Sequence, residues 1–238
     1  MSPETEAPPR RGLLITLEGG EGAGKSTQAR LLAEGLARAG HEVVLTREPG
    51  GTPEAEALRE MLLRGRMNWS GRAETLLHFA ARADHVDKAI LPAMERGITV
   101  VCDRFFDSTM AYQGCGQHVD RVFIRSLIDL IGIRPDLTVI LDLSPSAGFG
   151  RVAGRGLPLF EQEAAAASSK PIPAGSAAIE PDRYEALGEA FFERVRAGFR
   201  AIAEAEPGRC VLIDAGRPIE AVQAAIRGAL GLRLGLAP

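Results

Sequence analysis

The 238-residue sequence predicts a three-layer α/β fold, a five-stranded parallel sheet flanked by helices. Three observations carry this. Short apolar runs alternate with helical stretches, the pattern of a parallel sheet whose connections cross over its faces. Ile98–Cys102 and Leu137–Leu141 are continuously apolar, as strands buried on both sides are. The first apolar run leads into Gly19-Gly20-Glu21-Gly22-Ala23-Gly24-Lys25-Ser26, which fits the phosphate-loop pattern G-x-x-x-x-G-K-[ST] at every fixed position.

That strand, Leu13–Leu17, the loop, and a helix over Lys25–Ala39 with Leu31, Leu32 and Leu36 on one face make a P-loop NTPase start. The loop turns its N–H groups toward phosphate oxygens, Lys25 reaches the terminal phosphates, and the Ser26 hydroxyl can ligand Mg²⁺. Gly40 stands where a helix cap is expected. Val43–Thr46 reads as the second strand, and Arg47-Glu48-Pro49-Gly50-Gly51-Thr52 lies at its carboxyl end, where open α/β sheets bind ligands.

A helix follows over Pro53–Leu63, then a polar connection over Arg64–Gly71 with the only tryptophan, Trp69. Arg72–Arg96 is a long helical pattern, interrupted or kinked near Pro92. On it, His78 and Phe79 sit one turn before Arg82, which puts flat rings beside a guanidinium. The buried strand Ile98–Cys102 ends in Asp103-Arg104, an acidic residue suited to Mg²⁺ or its waters and an arginine suited to a phosphate.

Phe105–Gly116 reads as a loop or short helix whose Ser108, Thr109, Tyr112 and Gln113 suit base or sugar edges. Asp120–Ile131 is a helix, and the strand Leu137–Leu141 ends at Asp142. Residues 144–183 form a mobile lid, with Arg151 and Arg155 on one helical face and an Ala-, Ser- and Pro-rich stretch over 157–181. Tyr184–Glu204, with Leu187, Phe191, Phe192, Val195 and Phe199, is a helix that faces the core. Cys210–Asp214 and Pro218–Leu230 are the last strand and helix.

Composition bounds the partners. With 45% hydrophobic and 25% charged residues the chain reads as an ordinary globular protein, one domain over 12–238. A net charge of −3 gives no basic field for polymeric nucleic acid. No stretch reaches the roughly 18 apolar residues of a membrane span. Three scattered cysteines, Cys102, Cys115 and Cys210, lack metal spacing and suit a reducing cytoplasm. Residues 1–11 are polar and proline-bearing and are expected to be a disordered tail.

A triphosphate cradle facing a second pocket implies transfer between them, with an anionic flat heterocycle, a nucleoside monophosphate, as acceptor. Hydrolysis would need no second pocket, so an ATPase or switch protein is the lesser reading. From Leu13 to about Ile226 the chain resembles the thymidylate kinase family. The resemblance rests on Glu18 through Thr27, on Thr46-Arg47-Glu48-Pro49-Gly50-Gly51-Thr52, on Asp103-Arg104-Phe105 with Ser108 and Ala111-Tyr112-Gln113-Gly114, and on Asp182-Arg183-Tyr184-Glu185.

The resemblance implies transfer of the ATP γ-phosphoryl group to dTMP with Mg²⁺, in a homodimer. It implies an ATP site of Gly19, Gly20, Glu21, Gly22, Ala23, Gly24, Lys25, Ser26 and Thr27, and a metal held by Ser26 and Asp103. The implied dTMP site joins Glu21 on the 3′-OH, Arg104 on the phosphate and Arg82 on thymine to Ser108, Thr109 and Gln113. Arg47, Glu48, Pro49 and Arg59 lie nearby, and Tyr112 is set against a ribose 2′-OH. The family's stacking ring falls on His78 by register and on Phe79 by chemistry. Gly22 and Ala23 leave the loop without a basic residue, so Arg151 and Arg155 take the catalytic work, with Lys25 and Arg104, as in the bacterial type. The residues between Gly156 and Asp182 depart from the short family lid.

Overall fold

A computed structural model describes residues 11–63, 67–153 and 187–236. Five parallel strands form one sheet in the order β2-β3-β1-β4-β5, with β1 (Leu14–Gly19), β2 (Val43–Arg47), β3 (Thr99–Asp103), β4 (Leu137–Asp142) and β5 (Cys210–Asp214). The central strand β1 pairs with β3 on one side and β4 on the other. Strand order therefore reverses around β1, and the crevice at its carboxyl end is the place such sheets bind ligands.

Period-two alternation splits β1 between two cores. Ile15 and Leu17 join Leu32 and Leu36 of α1 (Lys25–Arg38) and Ile226 and Leu230 of α9 (Ile219–Leu234). Leu14 faces the other way, with Val100 and Cys102 of β3 and with Ile90, Met94, Phe105 and Phe106. A third cluster sets Ile140 against Phe191, Phe192, Val195 and Phe199 of α8 (Glu189–Ala205). Of the positions the sequence pattern assigns to the apolar faces of α1 and α8, Leu32, Leu36, Phe191, Phe192, Val195 and Phe199 are in the core, whereas Leu31 is half-buried and Leu187, which precedes the helix start at Glu189, is 43% exposed.

Helix α2 spans Pro53–Leu63. The long helical pattern after it is three pieces: α3 (Gly71–His85), a π-helical turn over Val86–Ile90, and α4 (Leu91–Glu95). The expected interruption thus lies just before Pro92, where the π-helical turn shifts the backbone pairing, Leu91 N–H donating to the Val86 carbonyl, and accommodates a residue without an N–H at the start of α4. Ser70 caps α3 by accepting from the Ala73 N–H.

Residues 105–116 are more ordered than a loop: α5 (Phe106–Thr109) runs into a π-helical segment, Met110–Gly116. Asp120 caps α6 (Arg121–Ile131), and α7 spans Pro145–Ala153. Of the expected lid, Arg155 and 154–183 lie outside the described residues, as do 184–186 at the start of the predicted last core helix. Residues 1–10 of the expected tail also lie outside them, while Arg11 pairs with Asp136 at 2.6 Å. Cys102, Cys115 and Cys210 are free thiols. No helix among the described residues is long and apolar enough to cross a membrane.

Candidate active site

The phosphate loop leaves β1 at Gly19 and enters α1 through Gly24, whose φ of 91° puts the first amides of the helix at the crevice. Ala23 is packed in the core beneath it, and Thr27 continues α1. Lys25 is buried in the loop, its Nζ donating to the Gly20 carbonyl at 2.9 Å. Ser26 Oγ donates to Asp103 Oδ2 at 2.5 Å, so the first turn of α1 meets the end of β3. A hydroxyl beside a carboxylate is a hard-oxygen pair, and among the described residues no cluster of three or more His, Cys, Asp or Glu side chains forms a cage. That donor set fits Mg²⁺, which keeps waters and phosphate oxygens in its shell.

Next to this pair the backbone is strained. Arg104 has φ +69°, a left-handed conformation unusual for a side chain with a Cβ. The turn sends its guanidinium back over the phosphate loop: Nη2 donates to Glu21 Oε1 at 2.8 Å and Nη1 to the Gly19 carbonyl at 3.2 Å. Tyr112 donates its hydroxyl to the same Glu21 oxygen at 2.6 Å, and its ring lies 5.1 Å beneath the guanidinium. Burial holds the Tyr112 phenol well above its usual pKa, so it remains a donor. Phe191 and Phe199 of α8 meet the Tyr112 ring edge-on at 6.1 and 6.2 Å and fix its place.

A second cluster is built on α3. Arg82 is buried between the rings of Phe79 and Phe105, 4.7 and 5.3 Å from their centroids. Its Nε donates to Glu48 Oε2 at 2.7 Å, and both terminal nitrogens lie 3.3 Å from Thr109 Oγ1. Glu48 also meets His85 Nδ1 at 3.1 Å, and the far ring nitrogen of His85 meets Thr46 Oγ1 at 2.7 Å. Gln113 donates to Glu74 Oε1 at 2.8 Å, shared with Gln117 at 2.9 Å. Arg59 donates to the Pro49 carbonyl at 2.9 Å. Gly51 belongs to this packing, because a Cβ there would lie 2.3 Å from His85 Nε2 and 2.7 Å from Thr46 Oγ1.

The structure thus brings Glu21, Arg104, Ser108 and Tyr112 together, and separately Glu48, Phe79, Arg82 and Thr109. Arg47 turns aside and pairs with Glu56 at 3.2 Å. Phe79 is only 5% exposed, with one face against Arg82, while His78 next to it is half-buried. Arg151 reaches the loop from α7, donating to the Gly22 carbonyl at 3.4 Å and to the Ala215 carbonyl at 2.9 Å. It can do so because Gly148 and the loop are in backbone contact: a Cβ on Gly148 would sit 2.2 Å from the Glu21 carbonyl oxygen, and one on Gly22 2.3 Å from that of Gly148.

Sequence reasoning missed Glu18, Glu74 and His85 as parts of the site. Glu18 is the only charge in its strand and opens the first motif of the family resemblance, but neither signal assigned it a role. Glu74 and His85 lie two turns before and one turn after Arg82 on α3, so helical spacing from Arg82 could have flagged them.

One half of the crevice cradles phosphates and the other is a buried polar pocket, with Arg104 between them, an arrangement that places the chain among the P-loop nucleotide kinases. Residues 17–170 match the family model described as thymidylate kinase, and the chain belongs to that family. A protein named thymidylate kinase from Gluconobacter oxydans (strain 621H) is 53% identical over 220 residues, 91% of this chain and 92% of its own length. Another of that name, from Caulobacter vibrioides, is 47% identical over 95% of this chain and 99% of its own. The solved structure of thymidylate kinase from Ehrlichia chaffeensis superposes with a TM-score of 0.69 at 34% identity, covering 92% of this chain and 98% of that one.

Proposed function

We propose that this chain transfers the γ-phosphoryl group of ATP to the 5′-phosphate of dTMP, giving dTDP and ADP. One observation carries the reading: Arg104, in a strained conformation, hangs between the phosphate loop and the pocket of Arg82. Few side chains are so placed to hold an acceptor phosphate in line with a donor. An acceptor phosphate oxygen forms the new P–O bond as the bond from the γ-phosphorus to the β–γ bridging oxygen breaks, and ADP leaves with that electron pair. No protein nucleophile is required, so positioning and charge stabilisation do the work.

The loop amides and Lys25 hold the donor phosphates. Mg²⁺, held by Ser26 and Asp103, would neutralise phosphate charge when bound. Arg151 enters from α7 to the transferring group, joined by Arg155 of the lid. Arg82, Thr109 and Gln113 read the thymine edge, and His78 supplies the stacking ring, since Phe79 is spent on Arg82. Glu21 takes the 3′-OH, and the bulk of Tyr112 disfavours a 2′-OH.

The protein acts as a cytoplasmic homodimer in this reading. Leu76 of α3 and Val122 and Leu130 of α6 are 47, 64 and 81% exposed, an apolar surface on two packed helices. Light scattering in solution tests the dimer. For the activity, a coupled ADP-release assay with Mg·ATP and a panel of acceptors should give strongest turnover with dTMP, lost with chelator and restored by Mg²⁺. Stronger turnover with another monophosphate would overturn the base site, and no turnover with any would overturn the reaction.

A further inference from the structure

Glu18 is fully buried at the last step of β1 before the phosphate loop, and the phosphate chemistry described above does not use it. Its two oxygens close around the next strand's exit turn. Oε1 accepts from the Phe105 N–H at 2.7 Å and from the Ser108 N–H at 3.3 Å. Oε2 accepts from Ser108 Oγ at 2.6 Å, and the same hydroxyl oxygen lies 3.3 Å from Arg104 Nη1. The residues so clamped directly follow a strained position, Arg104 with φ +69°.

We propose that Glu18 is a positioning residue that locks the 104–108 turn to the phosphate loop, so that Arg104 is held in its strained conformation at a fixed place relative to the donor phosphates. A left-handed backbone at a non-glycine residue persists only where its surroundings over-determine it, and this carboxyl supplies three hydrogen bonds to the turn for that purpose. Because Glu18 and Gly19 are neighbours in the same strand, movement of the loop moves the clamp with it. Arg104 then tracks the donor site, and a misplacement of about 1 Å at such a group is costly in phosphoryl transfer. The proposal rests on the reading that Arg104 grips the acceptor phosphate.

Burial, and the nearby Asp107 charge, push the Glu18 carboxyl up to about 8; once protonated it keeps the Ser108 contact with the direction reversed, the carboxyl O–H donating to Ser108 Oγ, so its amide isostere should replace it. A glutamine oxygen can accept from Phe105 and Ser108 N–H, and its amide nitrogen can donate to Ser108 Oγ. Aspartate keeps the chemistry but is one methylene too short to span both anchors. Leucine fills the space without hydrogen bonds.

Steady-state kinetics on the full chain test this, with KM for dTMP and for ATP read separately beside a melting curve. Glu18→Leu should raise KM for dTMP by about tenfold or more, the loss expected when buried hydrogen bonds are broken, and leave KM for ATP within about twofold. Glu18→Asp should show the same split, and it decides the matter if the leucine variant does not fold. Glu18→Gln should stay within about threefold of wild type in both constants. The proposal is overturned if the glutamine variant is as impaired as the aspartate one. A folded Asp variant with wild-type KM for dTMP, or one impaired equally toward both substrates, overturns it too. Arg104→Ala serves as the separate arm: an unchanged KM for dTMP there sinks the acceptor reading itself, whatever the Glu18 variants do.

Discussion

Replacing Gly148 with alanine should separate α7 from the phosphate loop and cost turnover more than binding. The new Cβ would lie 2.2 Å from the Glu21 carbonyl oxygen, against 3.4 Å or more for ordinary contact, so the two backbones must part by about 1 Å. Neither partner is a flexible side-chain end that could swing away. Arg151 sits one turn further along α7, 3.4 Å from the Gly22 carbonyl, and is carried off by the same displacement. A shift of that size at a group stabilising transferred charge costs about 100-fold in kcat. Overpacking also costs about 1–3 kcal/mol of stability. The coupled ADP-release assay would read kcat and KM for dTMP, and calorimetry would show that the variant is folded at the assay temperature. KM for dTMP should change less than kcat, because Arg82 is anchored on Glu48, away from the clash, while Arg104 is tied to Glu21 and feels only part of the displacement. A folded variant whose kcat stays within about threefold of wild type would refute the coupling of α7 to catalysis.

Gly51→Ala meets both a positive φ of 88° and the His85 ring, and should lower stability by about 1–3 kcal/mol and raise KM for dTMP, measured by melting and kinetics. His78→Ala should raise KM for dTMP by about tenfold, the worth of one stacked base, whereas Phe79→Ala should instead lower the melting temperature through a core cavity; the reverse pattern would move the base to Phe79. Tyr112→Phe removes the 2.6 Å bond to Glu21 while keeping the ring, so discrimination against ribonucleotides should survive while KM for dTMP rises by about threefold to tenfold. Asp142 accepts from Arg196 at 2.8 Å and Arg200 at 3.0 Å, and the Arg196 hydrogen bond chiefly holds its pKa below the usual carboxylate value. Its contribution is therefore present above a pKa of about 3.9 and lost as pH falls through the lower folded value. Melting curves between pH 2 and 5 should show a smaller acid-side loss for Asp142→Asn, by about 1 kcal/mol or less for a partly exposed pair.

Legibility differed by element for physical reasons. The loop from Gly19 to Ser26 is readable because backbone contact with phosphate restricts residue type at fixed spacing. Strands β3 and β4 are readable because burial on both faces makes their interiors almost wholly apolar, with a single threonine in each and an aspartate at each carboxyl end. The 105–116 stretch was readable only as a loop or short helix, since its glycines and polar residues allow either; its π-helical turns are held by packing on α8, far along the chain. Arg47, placed by spacing near an acceptor, is drawn off by Glu56, a competition that order along the chain does not display.

By itself the sequence determined the parallel α/β architecture, the phosphate loop and the family to which the chain belongs, because each depends on local pattern or on residue type at a fixed place. Only the tertiary structure decided which polar groups bond to one another: Glu21 with Arg104 and Tyr112, Glu48 with Arg82 and His85, Glu18 with the 104–108 turn. Those partners come from different strands and helices, and burial makes each pairing necessary, since a polar group removed from water must find a hydrogen-bond partner wherever the fold brings one.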